Sequence, residues 1–439
     1  MNESFRSPTK FRAYTAAQFQ ASEHWKNLNE SLRGTFLATT KVLPFRVNDY
    51  VLQNLIDWDS VPNDPMFQLL FPQPGMLSER DLWIVGRAMD GGSLEELNAA
   101  VGEIRRGLNP HPAGQMTHNV PTMGDEAVDG IQHKYRETVL FFPSAGQTCH
   151  SYCTFCFRWP QFVGDVSLRF QAKQSDELVQ YLKTHPEVTD VLITGGDPMV
   201  MSSRSLERFI TPILKETSVS TIRIGSKALT YWPFRFISDD DTKDLLSLFR
   251  QVVDSGRHLA FMAHFNHPRE MKPSPVGEAI EAIRSTGAVI RTQAPILRHI
   301  NDSPDAWAEL WNESVRSGCV PYYMFVERDT GPSEYFKIPL VEVLQIFQQA
   351  YRRVSGLART VRGPIMSATP GKVQIDGILE FAGRRMLQLQ FLQARDPAAA
   401  RQPLLAEYDE TACWFDELKL LALAERQPEL RSRMPEVAQ

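Results

Sequence analysis

The sequence predicts an α/β fold: a partial (βα)6 barrel preceded by a helical N-terminal region and followed by a small α+β extension. Two observations carry that reading. Between residues 138 and 326, short apolar β-type runs alternate with amphipathic helical patterns, as βαβ crossovers and parallel strand pairing require. Six such runs recur at intervals of roughly 30 to 50 residues, the spacing of strand-plus-helix units in a barrel. In that architecture the C-terminal strand ends and the loops leaving them build the active site.

Taken in order, residues 1–130 read as mainly helical, with patterns at 81-DLWIVGRAM-89 and 93-SLEELNAAVGEIRRGL-108. A Pro/Gly/Met-rich passage, 109-NPHPAGQMTHNVPTMGDE-126, reads as a linker or wrapping arm. Residues 131–357 form the barrel. Its strands are expected at 138-TVLFFP-143, 190-DVLITGG-196, 221-TIRIGS-226, 258-HLAFMAHFN-266, 288-AVIRTQAPIL-297 and 320-VPYYMFV-326. Helices fall at 175–185, 203–217, 276–286, 304–317 and 339–357. Residues 358–439 form the extension, with β-like segments at 373-VQIDGILEF-381 and 386-MLQLQFL-392 and a polar helical end.

Composition narrows the function. A chain of 439 residues that is 43% hydrophobic can bury a large core. A formal net charge of -5 supplies no global basic field for nucleic acid. The N-terminus has no apolar core of signal-peptide length and no run of about 18 apolar residues is present, so a cytoplasmic protein without a membrane partner is expected. Five cysteines, an odd number in so long a chain, do not form the framework of a secreted disulfide scaffold.

Three of those cysteines, Cys149, Cys153 and Cys156, fall inside 149-CHSYCTFC-156, in the loop after the first expected strand. Zinc with a distant fourth ligand is one reading, but zinc sites usually pair their ligands, and Cys319 and Cys413 have no neighbouring His or Cys in sequence. An iron–sulfur cluster is the sharper one. Three thiolates ligate three irons of a 4Fe-4S cluster and leave the fourth iron open. An open iron can chelate the amino and carboxyl groups of S-adenosylmethionine, and one electron from the cluster then cleaves the sulfonium to a 5'-deoxyadenosyl radical.

The stretches 149-CHSYCTFCFR-158, 191-VLITGGDP-198, 222-IRIGSKAL-229, 264-HFNHP-268, 297-LRHIND-302 and 321-PYY-323 resemble the radical S-adenosylmethionine enzymes of the lysine 2,3-aminomutase family. The similarity runs from about Tyr135 to Gly371. It implies pyridoxal phosphate as a further cofactor, an external electron donor, an amino-acid substrate whose nitrogen migrates from the α- to the β-carbon, and oligomers. By resemblance, Gly195, Gly196 and Asp197 touch the amino group of S-adenosylmethionine, although the glycines also suit a tight strand-to-helix turn. Ser226 and Lys227 reach its ribose or carboxylate, with a solvated lysine as the alternative. Gln293 faces the nucleoside or serves the structure. His264 and His267 are better placed to orient loops than to bind metal. Arg158 matches the arginine that grips the substrate carboxylate, a role its forked donors suit.

Two departures from the family pattern bear on function. The lysine-specific enzymes hold the substrate ε-ammonium with two carboxylates; the corresponding positions here are Arg328 and Ala368. Glu327 and Asp329 flank Arg328, so a one-residue shift restores one acid, yet a cation there suits a substrate with a distal negative charge better than free lysine. Second, the Schiff-base lysine of the family follows a run of glycines, whereas 364-PIMSATPGKVQIDG-377 has one glycine before Lys372. Lys372 is the candidate at that motif. Lys134 stands where the family has a basic phosphate ligand, and Thr138 replaces a further arginine. The expected function is an amino-acid 2,3-aminomutase that does not use free lysine. The alternatives are a family member that has abandoned pyridoxal phosphate for hydrogen abstraction from another small molecule or a peptide, and a non-catalytic cluster protein. Residues 1–130 are expected to cover the barrel mouth and shield a radical.

Overall fold

The computed structural model describes residues 10–109, 118–164 and 169–421. The polar helical end expected after residue 421, and part of the expected linker, lie outside these residues.

Among the described residues the N-terminal region holds the short helix Ala16–Gln20 and five further helices: α1 Glu30–Val42, α2 Asp49–Asn54, α3 Pro65–Leu70, α4 Glu79–Gly91 and α5 Leu94–Gly107. Each of these five opens on a short polar side chain (Asn29, Asn48, Asp64, Ser78 and Ser93) that accepts a backbone N–H of the first turn. Such caps satisfy donors that the helix itself leaves free. Phe19, Phe36, Phe45, Phe67 and Phe71 make an aromatic core for this region, with Phe67 and Phe71 stacked at 4.5 Å. Trp232, Phe234, Leu297 and Phe336 enter the same core from the sheet side, so burial joins the two regions without a gap.

One sheet of eleven strands carries the rest of the chain, in sequence order. Its strands are β1 Ile131–Tyr135, β2 Thr138–Phe141, β3 Asp190–Ile193, β4 Thr221–Ser226, β5 His258–His264, β6 Val289–Ile296, β7 Val320–Val326, β8 Arg362–Ser367, β9 Gly371–Phe381, β10 Arg384–Ala394 and β11 Pro403–Glu407. From β2 to β8 every neighbouring pair is parallel. The remaining pairs, at both edges, are antiparallel. The parallel strands are linked in turn through α6 Asp176–Thr184, α7 Ser203–Glu216, α8 Thr242–Asp254, α9 Ser274–Arg284, α10 Pro304–Arg316 and α11 Leu340–Arg352. These are the six βα units expected from the sequence; α8 and the first three helices had no expectation there.

Alternation along the strands sets the two faces. In β4, Ile222, Ile224 and Ser226 are buried, whereas Thr221, Arg223 and Gly225 between them stay partly open. Ile222 and Ile224 join Val191, Ile193, Phe261 and Ile290 under Leu178, Leu206, Ile210, Phe249 and Ile280 of the helices. The other face carries polar groups, Arg223, Arg291 and Gln293 among them. After residue 357, β8 extends the parallel sheet and the β9–β10 hairpin continues it, which sets Lys372 between Ser367 of β8 and Gln393 of β10. Among the described residues no helix is long and apolar enough to cross a membrane.

Candidate active site

The cysteine loop leaves β2 and is held from two sides. On the N-terminal side, Asn48 Nδ2 donates to His150 O (3.3 Å), Ser151 Oγ (3.0 Å) and Tyr231 O (2.9 Å). Tyr152 N–H donates to Arg46 O (2.8 Å) and Thr154 N–H to Leu69 O (2.9 Å). On the sheet side, Asp197 N–H reaches Thr148 O (2.7 Å). Cys153 Sγ and Tyr231 Oη lie 3.2 Å apart. All three thiols are free and within electrostatic reach of one another. Burial pushes Cys149 well up, Cys153 to about 11 and Cys156 to about 12, and the neighbouring sulfurs add to the rise at Cys149 and Cys156. An electropositive iron centre would reverse that cost by taking the thiolate form. Among the described residues no three His, Cys, Asp or Glu side chains converge as one metal ion requires.

Gly195 and Gly196 follow β3 and press against this loop. A methyl at Gly195, whose φ is 140°, would strike the Gln147 side chain, and one at Gly196 the Thr148 backbone. The glycines therefore serve close approach of strand end and cysteine loop. Asp197 is fully engaged: Ser226 Oγ (2.7 Å), Lys227 N–H (2.9 Å) and Met199 N–H (2.9 Å) all donate to it. Burial still raises its carboxyl to about 6. Lys227 is neither solvated nor loose: Nζ donates to Glu270 Oε1 (2.6 Å), Asn266 Oδ1 (2.9 Å) and His264 O (3.2 Å). His264 stacks on Phe155 with ring centroids 5.9 Å apart, and His267 Nδ1 caps a short helical turn by accepting Arg269 N–H. Gln293 sits on β6 between His264 of β5 and Tyr323 of β7.

Arg158, Arg328, Lys134 and Lys372 are linked in a row. Arg158 is within electrostatic reach of Cys156 and Arg328, and Arg328 in turn acts on Lys134, which also feels Lys372. Arg158 and Arg328 flank the Phe157 ring, each 5.3 Å from its centroid, and Arg158 lies 3.9 Å over Phe142. Arg158 Nη1 and Arg328 Nε are buried without a hydrogen-bond partner. Burial drives Arg158 down to about 9 and Arg328 downward as well. Glu327, buried beside Arg328, is pushed well above the usual carboxylate range by that burial. Lys134 Nζ donates to Ala368 O, and burial with Arg328, Arg395 and Lys372 nearby lowers it to about 7. Lys372 Nζ donates to Gln393 Oε1 (3.0 Å) and stands over the Tyr323 and Tyr135 rings at 4.9 and 5.4 Å. Burial, then Arg223 and Arg362, bring it to about 7. Thr138 Oγ1 donates to Asp190 Oδ2 (3.3 Å) on the neighbouring strand.

Sequence reasoning missed the N-terminal contribution. Arg46 and Asn48 touch the cysteine loop from about 100 residues upstream, a long-range pairing no local pattern encodes. Gln393, from β10, was missed for the same reason.

No protein-family model matches the chain. Among curated proteins, one from Aquifex aeolicus named "Putative L-lysine 2,3-aminomutase" is 30% identical over 89% of this chain and 92% of its own length. The L-lysine 2,3-aminomutase of Acetoanaerobium sticklandii is 30% identical over 53% of each chain, so the present chain spans about half the length of that relative. A solved structure, Streptococcus suis SuiB bound to S-adenosylmethionine, aligns over 62% of this chain and 56% of its own at 13% identity; its TM-score of 0.36 carries no argument. The similarity that spans both chains almost end to end decides the question: this chain belongs to the lysine 2,3-aminomutase family of radical S-adenosylmethionine enzymes.

Proposed function

We propose that the protein catalyses a 2,3-aminomutase-type 1,2-amino shift on an amino acid carrying a second, distal negative charge, and that free lysine is not its substrate. The six βα units are proposed to curve as a partial barrel around this site. The observation that carries the reading is the row Arg158–Arg328–Lys134–Lys372, in which two buried guanidinium N–H groups have no partner. A buried, unpaired donor on a cation costs more than about 1–3 kcal/mol, so such groups persist where a ligand completes them. Two arginines in a row fit two carboxylates, whereas a lysine ε-ammonium beside Arg328 would meet repulsion.

The thiols Cys149, Cys153 and Cys156 would hold the 4Fe-4S cluster, and Gly195, Gly196, Asp197, Ser226, Lys227 and Gln293 would frame S-adenosylmethionine at the adjoining strand ends. When bound, the cluster and S-adenosylmethionine supply radical initiation, and pyridoxal phosphate supplies the route for nitrogen migration. Arg158 grips the substrate α-carboxylate next to the cysteine loop. Arg328 fixes the distal anion and so sets which carbon faces the cluster. Lys372, lowered toward neutrality and steered by Gln393, is an amine able to take up an aldehyde, and Lys134 contributes positive charge for a phosphate. Phe142, fully buried beneath Arg158, gives that arginine an apolar wall that excludes water.

One observation favours the family chemistry without pyridoxal phosphate: Lys134 Nζ is already bonded to Ala368 O. A single experiment separates the readings. The protein is purified anaerobically with reconstituted cluster and given S-adenosylmethionine, a reductant and, in parallel, glutamate or lysine. A β-amino diacid formed without matching loss of S-adenosylmethionine, since the abstracted hydrogen returns to the product, and no product from lysine, are expected. Turnover of lysine overturns the substrate assignment. Cleavage of S-adenosylmethionine with no bound pyridoxal absorbance, before or after added cofactor, overturns the amino shift.

A further inference from the structure

The N-terminal region adds one cation to the cysteine loop. Arg46 lies on a three-residue strand, Arg46–Asn48, that pairs antiparallel with Ala13–Thr15. Its backbone carbonyl accepts Tyr152 N–H at 2.8 Å, between Cys149 and Cys153. Two residues on, Asn48 ties the same strand to His150, Ser151 and Tyr231, the tyrosine whose hydroxyl lies against Cys153. The strand is thus fixed to the loop at three points and to Tyr231 at a fourth. Arg46 Nε is buried and has no hydrogen-bond partner. No salt bridge to Arg46 occurs among the described residues. Arg46 thus stands against the segment between Cys149 and Cys153 with a buried donor that no protein group meets.

We propose that Arg46 directs its unsatisfied N–H and its positive charge at the cluster held by Cys149, Cys153 and Cys156, and thereby raises the cluster's reduction potential. The proposal rests on the cluster assignment made above. The physical reason is electrostatic: one-electron reduction adds a negative charge to an already anionic assembly, and hydrogen bonds to sulfur and net charge are the levers by which a protein tunes that step. The N-terminal region, on this view, does more than cover the site. It carries a positioning residue, Asn48, and a tuning residue, Arg46.

The test uses the full-length, cluster-loaded protein without S-adenosylmethionine or substrate, titrated with reductant and followed by electron paramagnetic resonance. Arg46→Met should lower the potential by the equivalent of about a tenfold change in the one-electron equilibrium, about 59 mV. Arg46→Lys should recover most of that shift. Asn48→Ala should lower iron content and leave the potential of the loaded fraction near wild type. If Arg46→Met holds no iron, Arg46→Gln, neutral but able to hydrogen-bond, is read in its place. A potential matching wild type in either neutral variant overturns the proposal, including the case where only S-adenosylmethionine binding weakens. Iron lost from both neutral variants and kept in Arg46→Lys would show that the charge itself holds the anionic cluster. Iron lost from all three would assign Arg46 a packing role and overturn it. A wild-type protein with no cluster signal would refute the cluster assignment itself, a different result from an unshifted potential.

Discussion

The two ends of the site are built differently. At the cysteine loop and the neighbouring strand ends Asp197 accepts three hydrogen bonds, Lys227 donates three and Asn48 donates three, while Arg46 Nε, Gln147 Oε1 and His150 Nδ1 stay buried without a partner. Along the row from Arg158 to Arg328, guanidinium N–H groups are buried and unmet. A knit network fixes one geometry, which suits a cofactor that must sit in the same place in every turnover. An unmet cation destabilises the free protein and is relieved only by an anion, which suits a ligand that comes and goes.

The largest effects should come from loosening the knit end. Cys153→Ser removes a proposed cluster ligand and is expected to abolish S-adenosylmethionine cleavage, with iron content falling in step. Gly196→Ala forces a methyl into the Thr148 backbone and should cost about 1–3 kcal/mol in chemical denaturation while cutting cluster loading. Gly377→Ala is the control, since nothing lies within 4 Å of its added carbon. A Gly196→Ala protein as stable and as well loaded as the wild type would mean that the strand end does not brace the loop.

At the other end the signs should split. Arg158→Met removes a buried guanidinium N–H that has no partner, so the free protein is expected to gain about 1–3 kcal/mol of stability, whereas Arg328→Met also takes a cation from beside Glu327 and should gain less. The same substitutions should weaken binding of a diacid amino acid by at least about 30-fold. Calorimetric binding and denaturant melts on the same preparations check both halves. A structural arginine would lose stability when replaced, so a melt that moves downward removes the substrate role.

That contrast also explains what the sequence could and could not reveal. The βα rhythm was legible because each strand is a short apolar run between amphipathic helices, and alternation in β4 and β6 follows from one covered and one partly open face. The cysteine trio was legible because its members are near in sequence. By contrast, α3 is buried at every residue after Pro65 and shows no amphipathic period, so it read as featureless. The roles of Arg46, Asn48 and Gln393 depend on contacts between segments far apart in the chain, which local patterns do not carry. Lys227 read as a solvated or ligand-facing lysine because its partners, Asn266 and Glu270, lie some 40 residues downstream on another loop.

The smallest effect belongs to Lys372, and it is one of pH. Burial first, then Arg223 and Arg362, lower its ammonium to about 7 from an ordinary value of 10.5. The neutral amine is the form that attacks an aldehyde, so borohydride-trapped capture of pyridoxal phosphate should rise about tenfold per unit below pH 7 and flatten above it. A surface lysine would go on rising toward its ordinary value. Stability follows the same protons with a definite sign. Between about pH 7 and 10.5 the unfolded chain holds a proton on Lys372 that the folded chain has released, so stability rises with pH across that window. Lys372→Met should flatten this slope and abolish the trapped adduct together. If the slope stays while the adduct is lost, another group, Lys134 foremost, carries the linkage; if capture keeps rising beyond pH 9, the amine is not held near neutrality and the contrast between a knit cofactor end and an expectant substrate end does not extend to the hairpin that bears Lys372.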